Sequence, residues 1–179
     1  MFLSYKNLRL SATYLTHKAA NAMADSLIMS KLDYCNSLLV GLPQSQTKRL
    51  QAVQNAAARI VSRSKKSDHI TPILRELHWL PVNERIQHKL LSVTHKAANG
   101  SGPQYLSELV SVYVPSRSLR SSSKTLLCIP HPSLTKTKRY GQRAFRFTAP
   151  SLWNPLPEGL RECDSIDAFR SKLKTELFH

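Results

Sequence analysis

The sequence predicts a mainly α protein: a helical, bundle-like unit, then a basic extended segment with a short β-hairpin, then a C-terminal helix. Three observations predict it. Glycine, which weakens helices, is scarce, with five in 179 residues. From residue 16 to about 110 the apolar residues recur every three or four positions, the spacing of helices with one buried stripe. Beyond residue 111 that period is lost, and helical order returns only near the end of the chain. The expected division is therefore 1–110, a helical unit, and 111–179, a basic, proline-containing tail. Hydrophobic residues make up 41% of the chain, enough for a buried core and too many for full disorder.

Thr16 is placed to cap a first helix through Ala20, Met23, Leu27 and Ile28, its pattern continuing to Leu32, Cys35 and Leu39. Gly41 and Pro43 end it: glycine tolerates the left-handed position after a helix, and proline cannot extend the hydrogen-bond ladder. The clearest helix spans 45–62, with Leu50, Val53, Ala57 and Ile60 on one stripe and Lys48, Arg49, Gln51 and Arg59 off it. Residues 64–68 read as a loop. Thr71 then caps a short helix with Pro72 at its first position and Ile73, Leu74 and Leu77 along it. Trp79, Leu80 and Pro81 break it. A longer helix from Val82 to Ala98 carries Ile86, Leu90, Val93 and Ala97 and stops at Asn99 and Gly100, and 103–110 forms one more short helix.

In the tail, 126–129 and 144–147 are short strand-like runs, read as the two arms of the hairpin. Residues 149–157 contain Pro150, Pro155 and Pro157 and are read as non-helical, since each proline removes a backbone donor. Asp164, with Asp167 three residues on, opens the last helix, whose stripe is Ile166, Phe169, Leu173 and Leu177. Trp79 and Trp153 are assigned to packing between the helices and this appendage.

The charge is more telling than the pattern. There are 26 Lys+Arg against 11 Asp+Glu, a formal +15, which favours a polyanionic partner: RNA, DNA or an anionic membrane surface. Between Glu108 and Glu158 there is no acidic residue, while eight Lys and Arg occur: Arg117, Arg120, Lys124, Lys136, Lys138, Arg139, Arg143 and Arg146. Tyr140, Phe145 and Phe147 interleave with them. Cations on a loop without competing carboxylates attract phosphates, and rings among them stack on bases. Phe145 and Phe147, two apart on one face of the expected hairpin, are read as its packing.

Catalytic constellations are missing from the pattern. Metal-dependent nucleases and polymerases need clustered carboxylates; Asp25, Asp33, Asp68, Asp164 and Asp167 are scattered, and no Asp-Asp pair occurs. His78, His88 and His95 lack a cysteine or carboxylate to complete a tetrahedral set. Cys35, Cys128 and Cys163, spaced by 93 and 35 residues, form neither a disulfide framework nor a zinc signature. Cys35, inside an apolar stripe, is expected to be a buried thiol. No glycine-rich phosphate loop is present. The expectation is no enzyme, no cofactor and no metal. With no apolar run near about eighteen residues and no apolar N-terminal block, neither a membrane span nor secretion is expected. An intracellular location follows, cytoplasmic or nuclear.

Several strings together are more specific. KLDYCNSLL at 31–39, GLP at 41–43, LQAVQNAAAR at 50–59, DHITP at 68–72, LHWLPV at 77–82 and Arg85-Ile86 closely resemble the C-terminal region of LINE-type (non-LTR) retrotransposon reverse transcriptases. So do YVPSRSLR at 113–120, Tyr140-Gly141, RAF at 143–145, APSLWN at 149–154 and Leu156-Pro157. The likeness runs in order from about residue 5 to the end.

The resemblance implies a fragment. This stretch follows the polymerase's fingers and palm and comprises a thumb-like helical part and the tail beyond. The family's catalytic aspartates, its Asp-Asp pair included, lie upstream and have no counterpart here, so no catalytic residue carries over. The zinc knuckle of some other clades is also without counterpart. A thumb grips a primer–template duplex by its phosphates, so its surface is basic and blind to sequence. Lys48, Arg49, Arg59, Arg63, Lys65 and Lys66 are then the first expected nucleic-acid-binding surface. Arg117, Arg120, Lys136, Lys138, Arg139, Arg143 and Arg146 are the second. The expected partner is RNA or an RNA–DNA or DNA duplex. Two other readings stand beside it: a retroelement relic without selected function, and a helical module that binds a protein partner through a surface the polymerase core once covered.

Overall fold

The computed structural model describes residues 7, 8, 10, 11, 14–115, 125–131, 133, 137 and 141–178, and over these the chain is mainly helical. It packs as two compact units, one up to Ile86 together with Phe178, the other from Gln87 to Leu177. This division follows packing, whereas the one at residue 110 follows composition.

In the first unit, α1 (His17–Ala24) starts at Thr16, whose Oγ1 accepts the Ala19 N–H at 3.3 Å. It continues through a π-helical stretch, Asp25–Met29, into α2 (Ser30–Asp33). Ser26 Oγ donates to Met23 O at 3.0 Å and Ser30 Oγ to Ser26 O; hydroxyls that compete for helix carbonyls accompany such widening. The helix does not run on to Leu39 as expected. Tyr34 is extended, Cys35 is left-handed at φ 51°, and Asn36–Leu39 is a 3₁₀ turn. That reversal shifts the register: Asn36 is buried and donates to Asp33 Oδ1 at 3.3 Å, whereas Leu38 and Cys35 face solvent. Cys35 is therefore not a core thiol.

Gly41, at φ 69°, turns the chain into α3 (Gln44–Ser62). Its buried line is Thr47, Gln54, Ala57, Ala58 and Val61, and the expected Leu50, Val53 and Ile60 lie partly buried on its flank. The sequence stripe was too narrow because the helix packs on two sides. The next helix, α4 (Ile70–Glu76), begins after His69. Thr71 is thus not its cap, and Pro72 lies at the third position, where a missing N–H has no partner to lose. Ile28, Met29, Leu32, Val61, Leu74 and Trp79 are among the residues that close this core.

Three helices end in the same way. After α4, Trp79 N–H donates to Leu74 O (2.8 Å) and His78 N–H to Arg75 O (3.0 Å), with His78 left-handed at φ 56°. After α3, Ser64 N–H donates to Arg59 O (3.0 Å) and Arg63 N–H to Ile60 O (3.3 Å), with Arg63 at φ 53°. After α5 (Val82–Ala98) the left-handed residue is Gly100 at φ 65°. This double bond pattern satisfies the last carbonyls but suits glycine best. A side chain there costs about 1–2 kcal/mol, and glycine's extra chain entropy returns roughly half of that. His78→Gly is expected to raise stability by about 0.5–1 kcal/mol, read as a shifted urea midpoint at constant slope. A lowered midpoint would show that the imidazole makes a contact outweighing the strain.

The second unit holds the later part of α5, α6 (Gln104–Ser107), α7 (Phe145–Trp153), α8 (Glu158–Arg161) and α9 (Ile166–Glu176). Leu91, Leu127, Trp153, Leu160, Phe169 and Leu173 form its core. His95, 1% exposed, stacks on Phe169 with centroids 4.4 Å apart, and its Nε2–H donates to Cys163 O at 2.6 Å. Trp153 and Phe169 stack at 5.7 Å, so Trp153 packs on the last helix as expected. Trp79 belongs to the first core.

Three expectations for the tail are corrected. The hairpin of 126–129 with 144–147 does not form. Leu127 instead bridges antiparallel to Val112, with Tyr113 N–H to Leu126 O and Cys128 N–H to Ser111 O, both 2.8 Å. On its other side Leu127 N–H donates to Asn154 Oδ1 and Asn154 Nδ2 to Leu127 O, both 2.9 Å, so a carboxamide takes the place of a third strand. Residues 145–147 open α7: a four-residue alternation does not distinguish strand from helix. Second, Pro150 lies inside α7. The ladder bond it forfeits is offset by burial of Pro150 itself, Ala149 and Trp153, while Ser151 Oγ donates to Phe147 O at 2.8 Å. Third, α9 is entered at Ser165; Asp167 is in its first turn, where negative charge suits the helix end, and Asp164 stands outside it.

Candidate nucleic-acid interface

Helix α3 is held from its inner side. The fully buried Gln54 donates from Nε2 to Leu80 O at 2.8 Å. Gln51 accepts the Val82 N–H at 2.8 Å, capping the first turn of α5, and donates to Gln54 Oε1 at 3.0 Å. Arg85 Nε donates to Asp33 Oδ1 at 2.8 Å while its Nη2 pairs with Oδ2, a two-point bond between α5 and the end of α2. The strings at 50–59 and 77–82 therefore bond to each other, and that at 31–39 bonds to Arg85. Their polar residues hold the fold and leave the opposite face of α3 fixed in space.

That opposite face is basic. At 100° per residue, Lys48, Arg59 and Arg49 fall within a sector of about 100° facing away from Thr47, Gln54, Ala58 and Val61. Lys48, Arg49, Lys65 and Lys66 are exposed. Arg59 is half-buried and donates from Nη2 to Asp68 O at 3.3 Å; Arg63 Nη2 donates to Leu15 O at 2.9 Å. These two guanidiniums tie down the turn after α3 and the entry to α1. Asp68 closes that turn by accepting the Lys65 N–H at 2.7 Å, so Lys65 and Lys66 project from a braced loop.

Of the second expected surface, Arg117, Arg120, Lys136, Lys138 and Arg139, with Tyr140, lie outside the described residues. Arg143 is half-buried just before α7, and Arg146 is exposed on its first turn. Phe147 is buried and Phe145 half-buried, which suits packing, although in a helix. The six cations from Lys48 to Lys66 belong to the first unit, and Arg143 and Arg146 to the second.

One residue of this surface has no sequence signal. Tyr14 is 90% exposed and precedes Leu15, the residue whose carbonyl Arg63 holds. It lies outside the apolar period, and only the fold brings it beside a residue 49 positions later.

Chemically the surface offers positive charge and hydrogen-bond donors on a fixed frame. Among the described residues no three His, Cys, Asp or Glu side chains converge as metal ligands, and no helix is long and apolar enough to cross a membrane. Compared with protein-family models, with curated proteins and with solved structures, the chain matches none.

Proposed function

We propose that the chain is a non-catalytic, nucleic-acid-binding part of a non-LTR retrotransposon reverse transcriptase, holding RNA or an RNA–DNA duplex by its phosphates without reading sequence. The observation that supports it best is the outer face of α3. Lys48 and Arg49 stand at one end of a 19-residue helix and Lys65 and Lys66 just beyond the other. The two pairs are separated by roughly 20 Å of helix, enough for several phosphates of one backbone. The net charge of +15 and the ordered likeness of the strings point the same way.

The test is fluorescence anisotropy with an RNA hairpin and a DNA duplex over a salt series. Micromolar or tighter binding is expected, with a log–log salt slope of about −4 to −6. Neutralising Lys48, Arg49, Lys65 and Lys66 together to glutamine should flatten that slope by about three units. A parallel variant neutralised at Lys136, Lys138, Arg139, Arg143 and Arg146 reports the share of the tail. A folded chain that stays unbound at low salt overturns the reading. The protein-interaction alternative then gains from Tyr105, Val112, Tyr113, Val114 and Ile129, exposed apolar side chains of the second unit.

A further inference from the structure

We infer that Tyr14, together with Arg63, Lys65 and Lys66, forms a stacking site for an unpaired base, so that the surface takes single-stranded nucleic acid or a duplex with a single-stranded extension. This rests on the nucleic-acid reading above and specifies its ligand. Four observations support it.

The ring of Tyr14 is 90% exposed, although burying an aromatic ring is favourable. Its mount is held on both sides: Tyr14 N–H donates to Ser11 O at 3.0 Å, and the next carbonyl, Leu15 O, accepts from Arg63 Nη2 at 2.9 Å. Thr16 then caps α1. An exposed ring on an ordered backbone gives up little freedom when a second ring covers it.

One cation, Arg63, is held next to it. The bond from Arg63 places Tyr14 at the end of α3, from which Lys65 and Lys66 emerge on the turn closed by Asp68. The Asp68 carboxylate already accepts the Lys65 N–H, and the cluster remains cationic. A flat ring with ammonium and guanidinium groups alongside is the pairing that single-stranded nucleic acids use, base on ring and phosphate on cation. Paired bases inside a duplex present no free face, so an unpaired nucleotide satisfies both halves where the interior of a duplex does not.

The contrast with Tyr34 sharpens the assignment. Tyr34 is also exposed, at 81%, but its neighbour is Asp33, whose carboxylate is engaged by Arg85. A similarly bare ring next to an ion pair supplies the control.

The experiment uses the full chain, a fluorescein-labelled oligouridylate and a blunt RNA duplex, at one moderate salt concentration, with circular dichroism verifying each variant's fold. Tyr14→Ala is expected to weaken oligouridylate binding about tenfold and to leave the blunt duplex within about twofold. Tyr14→Phe, which keeps the ring, should bind like the parent, and so should Tyr34→Ala. Replacing Lys65 and Lys66 by glutamine should weaken both ligands. The inference is overturned if Tyr14→Ala leaves oligouridylate binding intact, if it weakens both ligands equally, or if Tyr34→Ala matches it. A parent chain that binds neither ligand instead removes the nucleic-acid reading, which separates the two failures.

Discussion

Replacing Phe169 by alanine is expected to destabilise the second unit by about 4 kcal/mol, the largest effect of any single truncation proposed for this chain. Phe169 is fully buried on α9 and is flanked by the rings of His95 and Trp153, with centroids 4.4 and 5.7 Å away. Removing a phenyl group from this cluster of three buried rings leaves a cavity that the other two cannot fill by changing rotamer. The lost transfer energy and the cavity term therefore add. His95 also loses the face that orients its imidazole toward Cys163 O. Urea unfolding followed by tryptophan fluorescence should show the midpoint fall. Phe169→Leu, which keeps most of the volume, should cost only about 1–2 kcal/mol. A loss below about 1 kcal/mol for the alanine variant would contradict this packing.

Gln54→Ala is expected to cost about 3 kcal/mol, from a different cause. The side chain is 0% exposed, and its amide supplies the Leu80 carbonyl with a donor at 2.8 Å and gives Gln51 an acceptor at 3.0 Å. Truncation opens a cavity and strands a buried carbonyl, each a penalty of roughly 1–3 kcal/mol. Gln54→Leu separates the two, because it restores volume but not the hydrogen bond; about 2 kcal/mol should remain. Equal stability of the leucine variant and the parent, measured by urea denaturation, would show that this bond contributes nothing. Since Gln54 anchors the inner side of the helix whose outer side carries Lys48 and Arg49, both variants should also weaken the proposed nucleic-acid binding, though less than charge removal does.

The frame was legible where local chemistry decides. Val82–Ala98 has the expected bounds because an apolar stripe meets Asn99 and Gly100, and Thr16 caps the first helix as its hydroxyl requires. The rest hid for definable reasons. Cys35, Arg63 and His78 take left-handed conformations that composition assigns to glycine. Gln54 and Asn36 look like solvent-facing polar residues and are core, Gln54 because its partner Leu80 lies 26 residues on and Asn36 because the left-handed Cys35 turns it inward. Asn154 completes a ladder across 27 residues, which no short-range pattern contains. The candidate surface divides likewise. Lys48, Arg49, Lys65 and Lys66 face solvent, the first pair off the apolar stripe and the second on the loop after it. Arg59 and Arg63 look identical to them in sequence, yet bind backbone carbonyls 9 and 48 residues away.

Helix α5 has a consequence for modularity. The packing boundary falls between Ile86 and Gln87, inside that helix, while the change of composition falls near residue 110. Severing α5 at the first border would strand four amides and four carbonyls at the break. Cutting at the second would part Leu91 and Ala98 from Trp153, Phe169 and Leu173, the residues with which they share a core. Neither border is a joint, because a cut at one breaks a helix and a cut at the other divides a core.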